Sequence, residues 1–117
     1  MDTATLDKEL NQQVLSGQAL EAFEQFYADD VVMIEGNGER HEGKDTNRTR
    51  EQEFFASVEE VHAFDLLGSA VSGDRSYSEW LMDVTLKGVG RVKMEQTAVR
   101  DWRDGKVVRE RFYYNAG

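Results

Sequence analysis

Apolar residues recur at helical spacing in the first part of the chain and alternate with polar residues in the second part. Two helical stripes begin the chain, the first formed by Leu6, Leu10 and Val14, the second by Leu20, Phe23, Phe26 and Tyr27. Gly17 follows the first stripe where a helix would end, and the acidic pair Asp29 and Asp30 interrupts the second. The pattern therefore predicts two N-terminal helices, the second of them short.

A third helix and a series of strands are predicted downstream. The segment "VVMIE" (31–35) is apolar and β-branched, which favours a strand, and a glycine-rich loop follows it. A helix is expected from about residue 44, with Phe54, Phe55 and Val58 on its buried side. Four strand-like segments then follow: 59–71, 75–87, 90–102 and 106–114. The segments "KGVG" and "RDGK" between the last three strands are hairpin turn signals.

These elements predict one α+β domain spanning residues 1–117, with helices on one face of a mostly antiparallel sheet. If Asp104 and Gly105 form a two-residue turn and the alternation is carried back through "KGVG", the side chains of each face can be assigned. One face is then predicted to hold Trp80, Met82, Val84, Leu86, Lys93, Glu95, Thr97, Val99, Val108, Glu110, Phe112 and Tyr114. The opposite face is predicted to hold Tyr77, Leu81, Asp83, Val92, Met94, Ala98, Arg100, Trp102, Val107, Arg109, Arg111 and Tyr113.

Both faces of this predicted sheet carry large apolar residues. Three short helices can cover only one face, and an uncovered apolar face is a common site of association. The sequence therefore predicts a symmetric homodimer formed through the outer face of the sheet.

Composition and charge narrow the range of partners. Apolar residues make up 39% of the chain and charged residues 32%, which is typical of a folded globular protein. With 14 basic and 23 acidic residues the net charge is −9, which argues against nucleic-acid and anionic-membrane partners. There is no cysteine, so disulfides and thiol catalysis are excluded. The absence of a signal-peptide pattern or an 18-residue apolar run favours a cytoplasmic location.

Two stretches of the chain carry a resemblance to a known family. The segment "QALEAFEQFYADDVVMIEGNGERHEGKD" with its "YADD" entry into the first strand, and the ending "VRDWRDGKVVRERFYYN", are similar to the SnoaL-like branch of the nuclear transport factor 2-like superfamily. The resemblance covers about residues 6–115. It implies a cone, in which three helices and a strongly curved sheet enclose a pocket, and members are commonly dimers. The superfamily includes ketosteroid isomerases, polyketide cyclases, limonene epoxide hydrolase, dehydratases and non-catalytic proteins.

The resemblance makes Glu35 the first candidate for a catalytic group. In ketosteroid isomerases the general base follows the "YADD" entry at the position of Glu35, and a carboxylate desolvated at the mouth of an apolar cone would have a raised pKa. The alternative is that Glu35 ends its strand and points into water. The oxyanion-hole donors of those isomerases correspond to positions near Leu10 and Thr97, where no donor of that kind is present. Steroid isomerisation by that mechanism is therefore not expected.

Two further carboxylates, Glu95 and Glu110, are candidates for an acid/base set with Glu35. The alternative is that they are paired, Glu95 with Lys93 or Arg91 and Glu110 with Arg50. The predicted ligand-binding residues are Trp80, Met82, Val84, Thr97, Val99, Phe112, Tyr114, Arg50 and His62. For Arg50 a solvated helix face, and for His62 a structural hydrogen bond or a place in the dimer interface, remain open.

No motif indicates a metal or a cofactor. The two histidines, His41 and His62, lack metal-binding spacing, and the chain has no nucleophile elbow and no phosphate-binding loop. The leading hypothesis is a dimer whose cone binds a small, largely apolar molecule. Such a protein could perform cofactor-free isomerisation, cyclisation or hydration. The alternative is a non-catalytic ligand-binding or dimerisation module whose cone is filled by its own side chains, Trp80, Phe112 and Tyr114.

Overall fold

The computed structural model describes residues 2–115, which form three helices and six strands. In chain order they are α1 (Thr3–Leu15), α2 (Ala19–Phe26), β1 (Tyr27–Ile34), β2 (Arg40–Glu42), α3 (Lys44–Ser57), β3 (Val58–Ser72), β4 (Arg75–Leu86), β5 (Gly90–Arg103) and β6 (Lys106–Tyr113). The α+β class, with three helices and a mostly antiparallel sheet, is confirmed. The strong curvature implied by a cone stays a prediction. No helix in this part of the chain is long and apolar enough to cross a membrane.

The residues at the two ends of α1 explain where this helix starts and stops. The carboxylate of Asp2 accepts a hydrogen bond from the backbone N–H of Thr5 at 2.8 Å, which satisfies one of the free donors in the first turn. After the helix, Gly17 has a φ of +83°, a conformation that residues with a Cβ rarely adopt. The chain can therefore reverse at once into α2.

The six strands form one sheet in the order β2-β1-β6-β5-β4-β3. Strands β1 and β6 pair in parallel, and the other neighbouring strands pair antiparallel. Because β1 lies beside β6 and is followed by a glycine turn, the end of β1 and the end of the chain meet at one place in the sheet. This meeting point brings Glu35 next to Tyr114.

The hydrophobic core lies between the helices and one face of this sheet. Its buried members are Leu10, Ala22, Phe23, Phe26, Tyr27, Val31, Met33, Trp102 and Val107. The ring of Trp102 meets that of Phe26 edge to face, with centroids 6.2 Å apart. The core therefore includes Trp102 and Val107, which the alternation pattern had assigned to the opposite face.

Trp102 and Val107 pair with each other as predicted, and their assigned face is wrong because the connection between β4 and β5 shifts β5 against β4. An irregularity between β5 and β6 then changes the faces of the residues that follow Val107. The turn at Asp104 and Gly105 has two residues, as predicted, and both have positive φ. However, Trp102 pairs with Val107 while Asp101 pairs with Arg109, so Val108 is an extra residue in β6. A bulge of this kind reverses the alternation on one strand. Val107 lies on the helix side with its partner Trp102, and the extra residue brings Glu110 and Phe112 to that side as well.

The pairing between β4 and β5 also differs by one position from the predicted pairing. Leu86 pairs with Gly90, so three residues form the connection, and Trp80 lies opposite Gln96. Even-numbered residues of β5 therefore share a face with Trp80, and odd-numbered ones lie on the other face. Prediction had placed Lys93, Glu95, Thr97 and Val99 beside Trp80, and this placement is wrong.

The outer face of the sheet carries aromatic and charged residues together. Tyr77 is 37% exposed and Tyr113 51% exposed, and the guanidinium of Arg111 lies 4.9 Å from the ring centroid of Tyr113. Ion pairs such as Arg91 with Asp83, at 2.8 Å, cross the same face. It is thus a mixed surface, with apolar side chains partly covered by long charged ones.

Candidate functional site

A cavity of about 770 Å³ lies between the helices and the inner face of the sheet. Its lining is mainly apolar and rich in aromatic rings: Phe23, Tyr27, Phe54, Phe55, Phe64, Trp80, Phe112 and Tyr114. The exposed side chains of Leu15, Phe55 and Val61 also belong to the lining, so the cavity reaches the surface through an apolar mouth. Volume and lining are typical of a site for a small organic molecule.

The large aromatic side chains form the wall of the cavity and do not fill it. The indole N–H of Trp80 donates to Ser78 Oγ at 2.9 Å, and its ring stacks on Phe64 with centroids 5.4 Å apart. These contacts hold the indole against the sheet. The hypothesis that Trp80, Phe112 and Tyr114 plug the cone is therefore wrong.

Glu35 lines this cavity immediately after the end of β1. One carboxylate oxygen, Oε1, accepts from Arg50 Nη2 at 2.9 Å, and Oε2 accepts from the hydroxyl of Tyr114 at 3.1 Å. The side chain of Glu35 is 24% exposed, and that of Arg50 is 38% exposed. Glu35 therefore has a fixed orientation in the cavity wall, and its Arg50 partner extends from α3.

The turn after β1 is shaped to admit the ring of Tyr114. A Cβ on Gly36 would lie 2.7 Å from Tyr114 Cε2, closer than carbon atoms approach, so only glycine leaves room for the ring. The pKa of Tyr114 is raised, mainly by burial and further by the Glu35 carboxylate, although the backbone of Gly36 opposes this. The Tyr114 hydroxyl therefore stays protonated and available as a donor to Glu35.

Glu110 also reaches the cavity, but both its oxygens are bound within the protein. The hydroxyl of Tyr27 donates to Oε1 at 2.7 Å, and Arg100 Nε donates to Oε2 at 2.7 Å. Glu110 is 2% exposed and Arg100 is 4% exposed. Glu110 is thus paired, as in the alternative considered for it, but its partner is Arg100 and not Arg50, since the bulge in β6 places Glu110 opposite Arg100.

The Glu110–Arg100 pair continues into a buried polar network beneath α1. Arg100 Nη1 donates to Asp7 Oδ1 at 2.9 Å and to Asn11 Oδ1 at 2.7 Å. Ser76 Oγ also donates to Asp7, at 2.7 Å, and accepts from the indole N–H of Trp102. Because buried charges are tolerated when they are paired and hydrogen-bonded, this network accounts for three ionisable groups inside the fold.

The buried network also changes the pKa values of two of its members, Tyr27 and Arg100. Burial, and then the nearby Glu110 carboxylate, raise the pKa of Tyr27 well above its ordinary value. Burial opposes the charge of Arg100, but Tyr27, Glu110 and Asp7 more than offset it and raise the pKa of Arg100. Tyr27 therefore remains a neutral donor, and Arg100 remains a permanent cation.

Glu51 is a lining residue that the sequence analysis missed. It lies on α3, and burial raises its pKa to about 7, with further contributions from the Glu110 and Glu35 carboxylates and an opposing one from Arg50. A signal was available, because Asn47, Glu51, Phe54 and Val58 follow helical spacing and all line the cavity. The polar character of the first turns of α3 concealed this stripe.

The structure brings together eight of the twelve predicted site residues. They are Glu35, Arg50, Trp80, Met82, Val84, Glu110, Phe112 and Tyr114. Three others, Glu95, Thr97 and Val99, lie on the outer face because of the three-residue turn between β4 and β5. His62 lies at a register shift in β3, with Nε2 2.7 Å from Thr85 Oγ1, and does not line the cavity. The structural hydrogen bond considered for His62 is therefore present.

The remaining side chains near the cavity show no arrangement for a metal ion. Within residues 2–115, no group of three or more His, Asp or Glu side chains is arranged to hold one. Chemically, the cavity offers an oriented carboxylate at Glu35, a carboxyl group that titrates near neutrality at Glu51, and a neutral phenol at Tyr114. These groups can donate or accept protons next to an apolar ligand.

Comparison with known proteins gives a family and several similar structures. A family model described as a SnoaL-like domain matches residues 1–114. A candidate SnoaL-like polyketide cyclase from Mesorhizobium loti is 31% identical, with a TM-score of 0.88 over 97% of this chain and 100% of that one. Among proteins with curated functions, none matches.

More distant structures share the fold alone. A candidate isomerase from Bacillus subtilis is 18% identical, with a TM-score of 0.80 over 98% of this chain and 90% of that one. A Catenulispora acidiphila protein with a ketosteroid isomerase-like fold, crystallised with trimethylamine, is 17% identical, with a TM-score of 0.70 over 83% of this chain and 75% of that one.

Proposed function

The chain belongs to the SnoaL-like domain family, and from that premise we propose that its cavity binds a small, largely apolar molecule and catalyses cofactor-free proton transfer on it. The reaction class is isomerisation, cyclisation or hydration, each of which requires a proton to be removed from one position and supplied at another. The names of the Mesorhizobium loti and Bacillus subtilis proteins, a candidate cyclase and a candidate isomerase, support this choice. Fold alone does not specify chemistry, so the proposal rests on the site.

The observation that carries the proposal is the oriented Glu35 carboxylate in an apolar cavity. Arg50 and Tyr114 each bind one of its oxygens, so the carboxylate is presented in one geometry, and each oxygen keeps a further lone pair for a substrate proton. A base fixed in this way saves the cost of orienting it during the reaction. Glu35 is the proposed proton acceptor, and the protonated Tyr114 is a donor beside it.

The test begins with the ligand. Native mass spectrometry of the purified protein should detect a small molecule that co-purifies in the cavity, and turnover of that molecule can then be followed. Glu35→Gln should abolish turnover while the circular dichroism spectrum is retained. Glu39→Gln changes an exposed glutamate in the same turn and should leave turnover unchanged. Normal turnover by Glu35→Gln would rule out Glu35 as the base.

A non-catalytic ligand-binding module is the second candidate. It is favoured by the occupation of both Glu35 oxygens by protein donors, which is also what a purely structural carboxylate would show. In that case the cavity would bind a molecule and release it unchanged. Recovery of the co-purifying molecule without conversion, after long incubation with the wild-type protein, would favour this function.

We propose in addition that the protein forms a homodimer through the outer face of its sheet. The exposed rings of Tyr77 and Tyr113 support this proposal, because an interface would remove their apolar surface from contact with water. Light scattering at micromolar concentration should give twice the 13.4 kDa mass of the chain. A monomer mass over the whole concentration range would contradict it.

A further inference from the structure

The charged groups that line the cavity differ in whether they have a partner. Glu35 is paired with Arg50, and Glu110 is paired with Arg100. Glu51 lines the same cavity and, within residues 2–115, forms no hydrogen bond and no ion pair. A carboxyl group that is partly buried and has no partner is costly to keep charged. Within residues 2–115 Glu51 therefore has no counter-charge, and a bound ligand would have to supply one.

The surroundings of Glu51 have an excess of negative charge. Elements α1, β3 and β4 line the cavity with apolar residues only. The other charged and titratable groups of the lining are Glu21 of α2, Tyr27 of β1, Glu35 beyond β1, Arg50 of α3, Arg100 of β5, Glu110 of β6 and Tyr114 beyond β6. Arg50 compensates Glu35, Arg100 is shared between Glu110 and the buried Asp7, and the tyrosines are neutral donors. When Glu51 is ionised its charge is therefore uncompensated, and Glu21 adds a further negative charge at the mouth.

The uncompensated negative charge at Glu51 favours some ligands over others of the same shape. A ligand that carries a carboxylate would be repelled by the uncompensated Glu51, by Glu21 at the mouth and by a chain of net charge −9. A neutral ligand can donate a hydrogen bond to the carboxylate but leaves its negative charge uncompensated. A cation would supply the missing partner of Glu51, and the aromatic rings of the wall also attract cations through their faces.

We propose that the cavity binds a small amine, or another organic cation with an apolar body, and that Glu51 is the counter-charge that recognises it. The proposal deepens the proposed function, because it concerns the ligand of the same cavity. The apolar body would occupy the aromatic part of the cavity, and the ammonium group would lie at Glu51. Glu35 remains free of this role because Arg50 already compensates its charge.

Binding of such a cation must be linked to pH. Glu51 has to be ionised to bind an ammonium group, and its pKa is about 7. Between pH 6 and pH 8 the ionised fraction of such a group rises about tenfold. The affinity for an amine that stays protonated over this range should therefore rise by up to about tenfold, whereas the affinity for a neutral ligand should change much less.

The experiment compares three probes of nearly the same shape by calorimetry at pH 6 and pH 8: benzylamine, benzyl alcohol and benzoate. Each is titrated into the wild-type protein, into Glu51→Gln and into Glu53→Gln. Glu53 lies two residues further along α3 and is exposed, so it reports on a general loss of negative charge. Circular dichroism of each variant checks the fold.

The expected result is that the wild type binds benzylamine at least tenfold more tightly than benzyl alcohol at pH 8, with benzoate weakest. Glu51→Gln should lose the preference for the amine and its pH dependence while it keeps the affinity for the alcohol, and Glu53→Gln should behave like the wild type. Equal binding of amine and alcohol by the wild type would overturn the amine proposal and leave the small-molecule cavity supported. Absence of binding by all three probes would count against both. If Glu51→Gln fails to fold, the amine-to-alcohol ratio of the wild type at the two pH values still gives the answer.

Discussion

Glu51 should make the folded protein less stable as the pH rises, and replacing it with glutamine should remove this effect. In the folded state its pKa is about 7, against an ordinary value of 4.5. Below about pH 4.5 the carboxyl group is protonated in both the folded and the unfolded chain, so it has no effect on stability. Between these two values the folded state holds the proton more tightly, and stability falls as the pH rises. Above about pH 7 the full cost is present.

The size of the effect follows from the shift in pKa. A difference of about 2.5 units corresponds to about 3 kcal/mol in the free energy of unfolding. Glutamine resembles the protonated form of glutamate in shape and carries no charge, so Glu51→Gln avoids this cost at every pH. We therefore expect the variant to be more stable than the wild type by about 3 kcal/mol at pH 8 and nearly equal to it at pH 4.5.

Urea unfolding followed by circular dichroism at pH 5, 6, 7 and 8 measures this difference. For a typical denaturant dependence of about 1.5 kcal/mol per molar urea, the midpoint of the variant should lie about 2 M higher at pH 8. Glu53→Gln, on the exposed side of α3, should track the wild type at all four pH values. A difference between Glu51→Gln and wild type that is independent of pH, or a less stable variant at pH 8, would refute the reasoning.

Two further predictions concern stability and packing. Arg100→Met should lower the free energy of unfolding by about 3–5 kcal/mol, because it leaves Asp7 and Glu110 buried without a counter-charge, and a loss below about 1 kcal/mol in urea unfolding would contradict this. Gly36→Ala should cost about 1–3 kcal/mol because its Cβ meets the ring of Tyr114, and the same change in a Tyr114→Ala background should cost clearly less. Additive losses in that thermodynamic cycle would exclude the ring as the cause.

The helices, the strands and much of the site could be predicted from the sequence, because those predictions depend on short-range patterns. The spacing of Leu6, Leu10 and Val14 and the position of Gly17 gave α1 with its end. The two-residue turn at Asp104 and Gly105 was also correct, since its residue types match the positive φ values required there. Each of these features is determined by residues that are neighbours in the chain.

The faces of the strands depended on the lengths of the connections and on bulges, which residue types do not reveal. The connection from Leu86 to Gly90 has three residues, and β6 accommodates one extra residue at Val108. Each shifts the alternation by one position, and a shift of one moves a side chain to the other face. For this reason Glu95 was wrongly placed in the cavity, whereas Glu110 was correctly placed but given the wrong partner.

By itself, the sequence determined the α+β class and the order of the elements, through periodicities that local sterics and burial impose. It also indicated Glu35 through the family resemblance. The tertiary structure alone decided which ionisable groups compensate one another, since partners such as Asp7 and Arg100 are far apart in the chain. It likewise decided that Glu51 has no such partner within residues 2–115, and a pKa near 7 follows from its burial and from the nearby Glu110 and Glu35 carboxylates. The reason is physical: desolvation and charge pairing depend on distances in space, which only the folded chain defines.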